Sequence, residues 1–215
     1  MEDRTMRIDP TELEGDEAYH LINALVVPRP IAWVSTVSAE GVPNLAPFSY
    51  FAPLSPRPPI ICFSATGPRD TLRNIEHTND FVVNVVPESL AHEMNVSAAD
   101  FPPDESEFDA VGLSPVPSEV VHSPRVLESP ASLECVVEKR FQVGDVPSTV
   151  VVGRVVRIHL AFDIVVDGRV SAGTFRPLGR LAGSWYVQFG EMIRLVRPHY
   201  TDLLIPPTDT TTRTS

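Results

Sequence analysis

Two arginines beside turn formers, Arg29 and Arg69, share the stretch from Val26 to Asn74 with a set of small hydroxyl and amide residues. These are Ser35, Thr36, Asn44, Ser49, Ser64, Thr71 and Asn74, and they alternate with strand-forming residues, as in a polar pocket built on a sheet. Such a set suits an anionic ligand. A phosphate monoester carries close to two negative charges, so it needs several N–H and O–H donors and a cation, and helix N-termini supply backbone amides. Ser64-Ala65-Thr66-Gly67-Pro68-Arg69-Asp70-Thr71 has those parts in one strand-to-helix turn: three hydroxyls, the fork of Arg69, and the amides of a helix starting near Thr71. Asp70 would repel phosphate, so it is assigned to capping or to pairing with Arg69 or Arg73. Taken alone, an ordinary capped helix with a surface arginine accounts for the same residues.

A second polar run is Asn44-Leu45-Ala46-Pro47-Phe48-Ser49-Tyr50-Phe51. Asn44 and Ser49 can donate and accept at the edge of a heteroaromatic ring, and Pro47 frees the local backbone from regular pairing. A Pro-bulged edge strand turning polar residues to water reads equally well.

The elements that must position these residues are mostly strands. Ile31 to Ser38 alternates, with Ile31, Trp33 and Val37 on one face and Ala32, Val34 and Thr36 on the other. Ala39-Glu40-Gly41 is a hairpin turn and Val42 to Phe51 the returning strand, at an edge or bulged because of Pro43 and Pro47. Pro53 to Pro59 reads as a rigid connection before a buried strand at Ile60 to Ser64, and Asp70 to His77 as a short helix. Phe81 to Val86 is a strand, and Glu88 to Asn95 a helix with Leu90 and Met94 on one face. Residues 97–130 form a Pro, Ser, Asp and Glu-rich excursion, after which strands resume at 131–141 and 149–162 and in a hairpin at 164–170. A short helix is expected within 18–25, an arm over 1–17, and a flexible tail over 201–215. Many β-branched runs with few short helices give a mainly β domain over 18–200, an all-β barrel decorated by helices.

Composition narrows the function classes. Acidic residues outnumber basic ones by 28 to 17, for a formal net charge of −11, which disfavours nucleic-acid and anionic-membrane binding. An anion must therefore be held by local positive charge. No apolar run approaches the roughly 20 residues that span a bilayer, and the charged start lacks a signal-peptide pattern, so a cytoplasmic protein is expected. Cys62 and Cys135 read as buried reduced thiols, and the six scattered histidines lack metal-site spacing. The acidic run at 105–109 reads as a solvated loop.

The ordered motifs P-R-P-I-A-W-V-S-T, G-V-P-N-L-A-P-F-S-Y-F, F-S-A-T-G-P-R-D-T-L-R-N-I, F-V-V-N-V-V, E-F-D-A-V-G-L and P-L-G-R-L-A-G-S-W-Y, running between Tyr19 and Arg197, resemble the flavin reductase-like family of FMN-binding split-barrel proteins. The resemblance implies a Greek-key split β-barrel forming a homodimer, with FMN near the subunit interface. Carried over by motif, Ser35, Thr36, Asn44, Ala46 and Ser49 would lie along the isoalloxazine and ribityl chain. Ser64, Arg69 and Thr71, with Arg29, would hold the phosphate, and Trp185 or Tyr186 would flank the ring or pack at an interface. The implied activity is NADH- or NADPH-dependent flavin reduction, in some members for a monooxygenase partner. Two alternatives are an FMN electron carrier without enzymatic activity, and an FMN enzyme for a dedicated small molecule whose pocket is shaped by residues 97–130.

Overall fold

The computed structural model describes residues 4–200, so the expected tail at 201–215 lies outside the described residues. Helix α1 (Glu17–Leu25) leads to strand β1 (Ala32–Val37), which pairs antiparallel with β2 (Pro43–Phe48). Gly41 takes φ +86° in the turn between them, a conformation that favours glycine. β1 is buried on both faces, and the expected alternation assigns them. Ala32 and Val34 join Phe63, Phe81 and Val151 inside the sheet's curl, while Ile31 and Trp33 join Leu45, Met94 and Phe108 outside it.

Only Ser49 and Tyr50 separate β2 from β3 (Phe51–Pro56), which turns into β4 (Pro59–Thr66). The rigid connection expected at 53–59 is therefore mostly strand. Its prolines are tolerated because β3 lies at a sheet edge, where a missing N–H breaks no ladder. Helix α2 (Asp70–Thr78) and β5 (Asp80–Asn84) follow, and then α3 (Ala91–Val96), preceded by a 3-10 turn at Glu88–Leu90. The sequence from 97 to 130 folds into α4 (Glu107–Val111) and a small ribbon of β6 (Pro115–Val116) and β7 (Arg125–Val126). Two long strands, β8 (Ala131–Val143) and β9 (Ser148–Leu160), complete the sheet. The short pair β10 (Val165–Val166) and β11 (Arg169–Val170) forms the expected hairpin, with Asp167 and Gly168 both at positive φ as that tight turn demands. A last pair, β12 (Gly179–Arg180) and β13 (Tyr186–Val187), lies near the end of the described chain.

The main sheet has seven antiparallel strands in the order β2-β1-β5-β8-β9-β4-β3. Its two edges, β2 and β3, are consecutive in the chain and joined by two residues. The three Cα steps from Phe48 to Phe51 span at most about 11 Å. The sheet must therefore curl until its edges meet, closing a barrel along a seam that has no ladder. Seam backbone groups are left to other partners.

One edge is covered in a way the sequence reading did not anticipate. Pro43 and Pro47 have no N–H, and the amide of Leu45 between them donates to the Glu107 carboxylate at 2.9 Å. Ser106 donates to the Pro43 carbonyl at 2.7 Å. The start of α4 thus caps β2, and the solvated loop expected at 105–109 is corrected: Glu107 is buried and Phe108 fully so. Gly112, at φ +69°, ends that helix in the left-handed conformation.

The rest of the 97–130 excursion is sewn on by two buried carboxylates. Glu134 accepts from the amides of Glu119 and Val120 and from the His159 ring, and Asp80 accepts from the amides of His122 and Ser123. Leu113 and Val126 pack into the outer core with Phe108. Such contacts replace the periodicity that the segment lacks.

Candidate functional site at the barrel seam

Two adjoining cavities, of about 530 and 450 Å³, run along the seam and share Tyr19, Pro47, Ser49, Arg69 and Ala98. They form one groove. Its far end is the Ser64–Thr71 turn, where β4 passes into α2. Gly67 sits there at φ +72°, and a Cβ placed on it would meet nothing within 4 Å. Gly67 itself opens on the side of Leu72 and Gln142, while Ser64, Thr66, Arg69 and Thr71 are turn residues that line the groove.

Helix α2 starts differently from the expectation. Arg69, with extended backbone, is the N-cap residue and no side chain caps the helix. Asp70 instead pairs with Arg73, the alternative role assigned to it, so the amides of the first turn keep no side-chain acceptor. Arg69 is about half exposed and makes an ion pair with Asp100 at 2.7 Å. An anion bound here must share or displace that carboxylate.

The hydroxyls and amides divide into those that line the groove and those that hold it up. Asn44, Ala46, Ser49, Ser64, Arg69 and Thr71 all line the second cavity. Asn44 Nδ2 donates to Thr71 Oγ1 at 3.1 Å. That bond takes one of the two lone pairs of the Thr71 hydroxyl and leaves its O–H able to donate. Thr66 bonds the Ser148 hydroxyl across the β4–β9 pair at 2.7 Å.

Ser35 and Thr36 lie behind the groove instead. Both are fully buried. Ser35 donates to the Pro124 carbonyl and accepts from Asn84, while Thr36 accepts from Asn74 of α2 at 3.1 Å. They tie α2 and the excursion to β1, and so position the wall without reaching it. Trp185 is 76% exposed and does not line either cavity.

The first cavity contains Arg29 and Tyr186. Arg29 is buried and its guanidinium donates to the carbonyls of Asn23, Val26 and Leu181, with Ser49 Oγ at 3.5 Å. Its fork is thus largely spent on holding α1 and the 181 loop at the seam. Tyr186 carries the guanidinium of Arg180 over its ring, 4.5 Å from the centroid. Sequence reasoning had not singled out Tyr19, His20, Asp100 or Arg180. Arg180 lay inside a quoted motif, P-L-G-R-L, but nothing local distinguished it from a surface cation.

Glu107 lines the second cavity beside Asp70. Burial raises its pKa above the usual carboxylate value, the Leu45 amide pulls it back, and Asp70 adds a further upward push. A raised folded-state pKa means that the protonated form is favoured on folding. The stabilising contribution is therefore full below the unfolded value and is lost as pH rises through the folded one. Glu107→Gln keeps an acceptor for the Leu45 amide without the charge. Urea titrations at acidic and neutral pH should show the variant gaining on the wild type as pH rises. A wild type that gains instead would contradict this assignment.

A groove of this shape at the open seam of a β-barrel, ending in a turn with a cation, hydroxyls and a helix start that no side chain caps, has room for an elongated ligand and donors for an anionic group. The chain belongs to the family of the flavin reductase like domain, whose family model matches residues 24–169. It is similar to the solved structure of nitrilotriacetate monooxygenase component B from Bacillus cereus, at 37% identity and TM-score 0.86, over 90% of this chain and 100% of that one. It is also similar to 2-nitrobenzoate 2-nitroreductase from Pseudomonas fluorescens, at 32% identity and TM-score 0.84, over 91% and 98% of the two chains. A Shewanella frigidimarina structure described as having a split barrel domain shares the fold at 24% identity and TM-score 0.81, over 90% and 100%. The expected mainly β split barrel is thus the fold found.

Among the described residues no cluster of His, Cys, Asp and Glu could hold a metal ion, and no helix is long and apolar enough to cross a membrane. Cys135 is buried and burial drives its thiol pKa upward, so it stays a protonated thiol. Cys62 is half-buried and unpaired.

Proposed function

We propose that this protein is an FMN-binding, NADH- or NADPH-dependent flavin reductase of the cytoplasm that works as a homodimer and supplies reduced flavin to a monooxygenase partner. The observation that carries this reading is the Ser64–Thr71 turn: it lines the end of the seam groove with Arg69, two hydroxyls and the start of α2, which no side chain caps. Those groups fit a phosphate monoester, which distinguishes FMN from riboflavin.

In this reading Arg69, Ser64, Thr71 and the α2 amides hold the phosphate, and Asn44 orients the Thr71 hydroxyl. Ala46, Ser49 and the unpaired backbone of the seam lie along the ribityl chain and ring. Arg29 acts through Ser49 and the segments whose carbonyls it binds. FMN, when bound, accepts a hydride from the nicotinamide and passes the electrons on, so no protein nucleophile is required. The chain's own part is to orient the reactants and exclude water. Likeness to a monooxygenase component B supports the partner. A second reading, reduction of a dedicated small molecule, is favoured by the likeness to a nitroreductase and by the room in the first cavity.

Mixing the protein with excess free FMN and NADH or NADPH under anaerobic conditions tests the choice. Bleaching of many flavin equivalents per protein chain is expected. If only the protein-bound equivalent bleaches, flavin is not the released product and the small-molecule reading takes over.

A further inference from the structure

The first cavity has a charge pattern that FMN binding does not use. Arg29, Arg69, Arg180 and His20 all line it, and no aspartate or glutamate does. This occurs in a chain with formal net charge −11, so a wall free of carboxylates runs against the overall field. The neighbouring cavity is the opposite, with Asp70, Asp100 and Glu107 among its lining residues. One phosphate monoester at the Ser64–Thr71 turn accounts for Arg69 alone. Arg29 is largely committed to backbone carbonyls. Arg180 is the cation left over.

Arg180 sits in β12, opposite Tyr186 in the register of the hairpin. Its guanidinium lies over the Tyr186 ring and donates to the Tyr186 hydroxyl and to the Gly183 carbonyl. Those two bonds leave three of the five N–H donors of an arginine unengaged. A guanidinium held over an aromatic ring and fixed by two hydrogen bonds is preorganised for contact with a carboxylate or phosphate. The ring beneath it also offers a planar surface next to the anion.

From this we infer that the Arg180–Tyr186 end of the groove is the subsite for the second ligand of the reaction, and that this ligand presents a negatively charged group to Arg180. The inference rests on the FMN reading of the adjoining cavity. Two sources share the chemistry: the diphosphate of a pyridine nucleotide and the carboxylate of an aromatic substrate.

Steady-state kinetics of FMN-loaded protein separate them. NADH is compared with the uncharged hydride donor 1-benzyl-1,4-dihydronicotinamide, and benzoate with benzamide as inhibitors, in wild type, R180Q and R180K. If the diphosphate is the anion, R180Q lowers the preference for NADH over the uncharged donor by roughly tenfold or more, the scale of a lost charge-assisted bond, and R180K restores part of it. If the carboxylate is the anion, the NADH preference holds while R180Q removes the preference for benzoate over benzamide. Both ratios unchanged in R180Q would overturn the inference. Should R180Q lose FMN binding through misfolding, the wild type decides, since benzoate or inorganic pyrophosphate must then compete with NADH far better than benzamide does. Equal competition overturns the inference. Failure of the wild type to bind FMN at all would instead sink the reading on which it rests.

Discussion

Replacing Arg69 by alanine is expected to weaken FMN by roughly 10- to 100-fold while leaving riboflavin nearly unaffected, because a charge-assisted bond to phosphate contributes about 1.5–3 kcal/mol. Arg69 is half exposed and already paired with Asp100, so the lower part of that range is the better guide. Riboflavin has the ring and ribityl chain but no phosphate. The difference between the two ligands therefore isolates the turn from the rest of the groove. Fluorescence titrations of both flavins against wild type and Arg69→Ala read it directly. Equal losses for the two ligands would remove Arg69 from the phosphate site.

The second large effect concerns stability. Glu134 is fully buried in β8, where its carboxylate accepts from the amides of Glu119, Val120 and Val121 and from His159 at 2.6 Å. Glu134→Ala should destabilise the fold by about 2–3 kcal/mol, since it leaves part-buried amides and a histidine without their acceptor. The pH dependence has the opposite sign to that of Glu107. Burial acts to raise the Glu134 pKa, but the Glu119 amide, the His159 ring and the Val120 amide outweigh it and the net shift is downward. A lowered folded-state pKa gives stability that is present above the unfolded value and lost as pH falls through the folded one. Chemical denaturation at neutral and acidic pH should therefore show the gap between wild type and variant closing in acid. A gap that widens in acid would refute the role given to Glu134.

The fold was legible where side-chain alternation was strong. β1, the hairpin at Gly41, the β8–β9 pair and the 164–170 hairpin all follow from period-two patterns and turn residues that demand positive φ. Two features escaped because their signals are not local. β3 was hidden by prolines, which argue against strand unless the strand is known to lie at an edge. Glu107 looked like one more acid in an acidic run, and only the tertiary fold brings it to the Leu45 amide between two prolines.

The site was legible in its types but not in its directions. A strand sends alternate side chains to opposite faces, so Ser35 and Thr36 were candidates on equal terms with Asn44 and Ser49. In the structure the first two face Pro124 and Asn74 in the interior, while the second two face the groove. Arg180 illustrates the converse. Its importance comes from the absence of carboxylates around it, which is a property of the assembled cavity.

The central claim is that the seam groove holds FMN, and direct titration of the purified wild-type protein with FMN tests it most simply. Saturable binding is predicted, with a perturbed flavin spectrum and one equivalent bound per chain. An unchanged spectrum and no saturation at high FMN would contradict the claim.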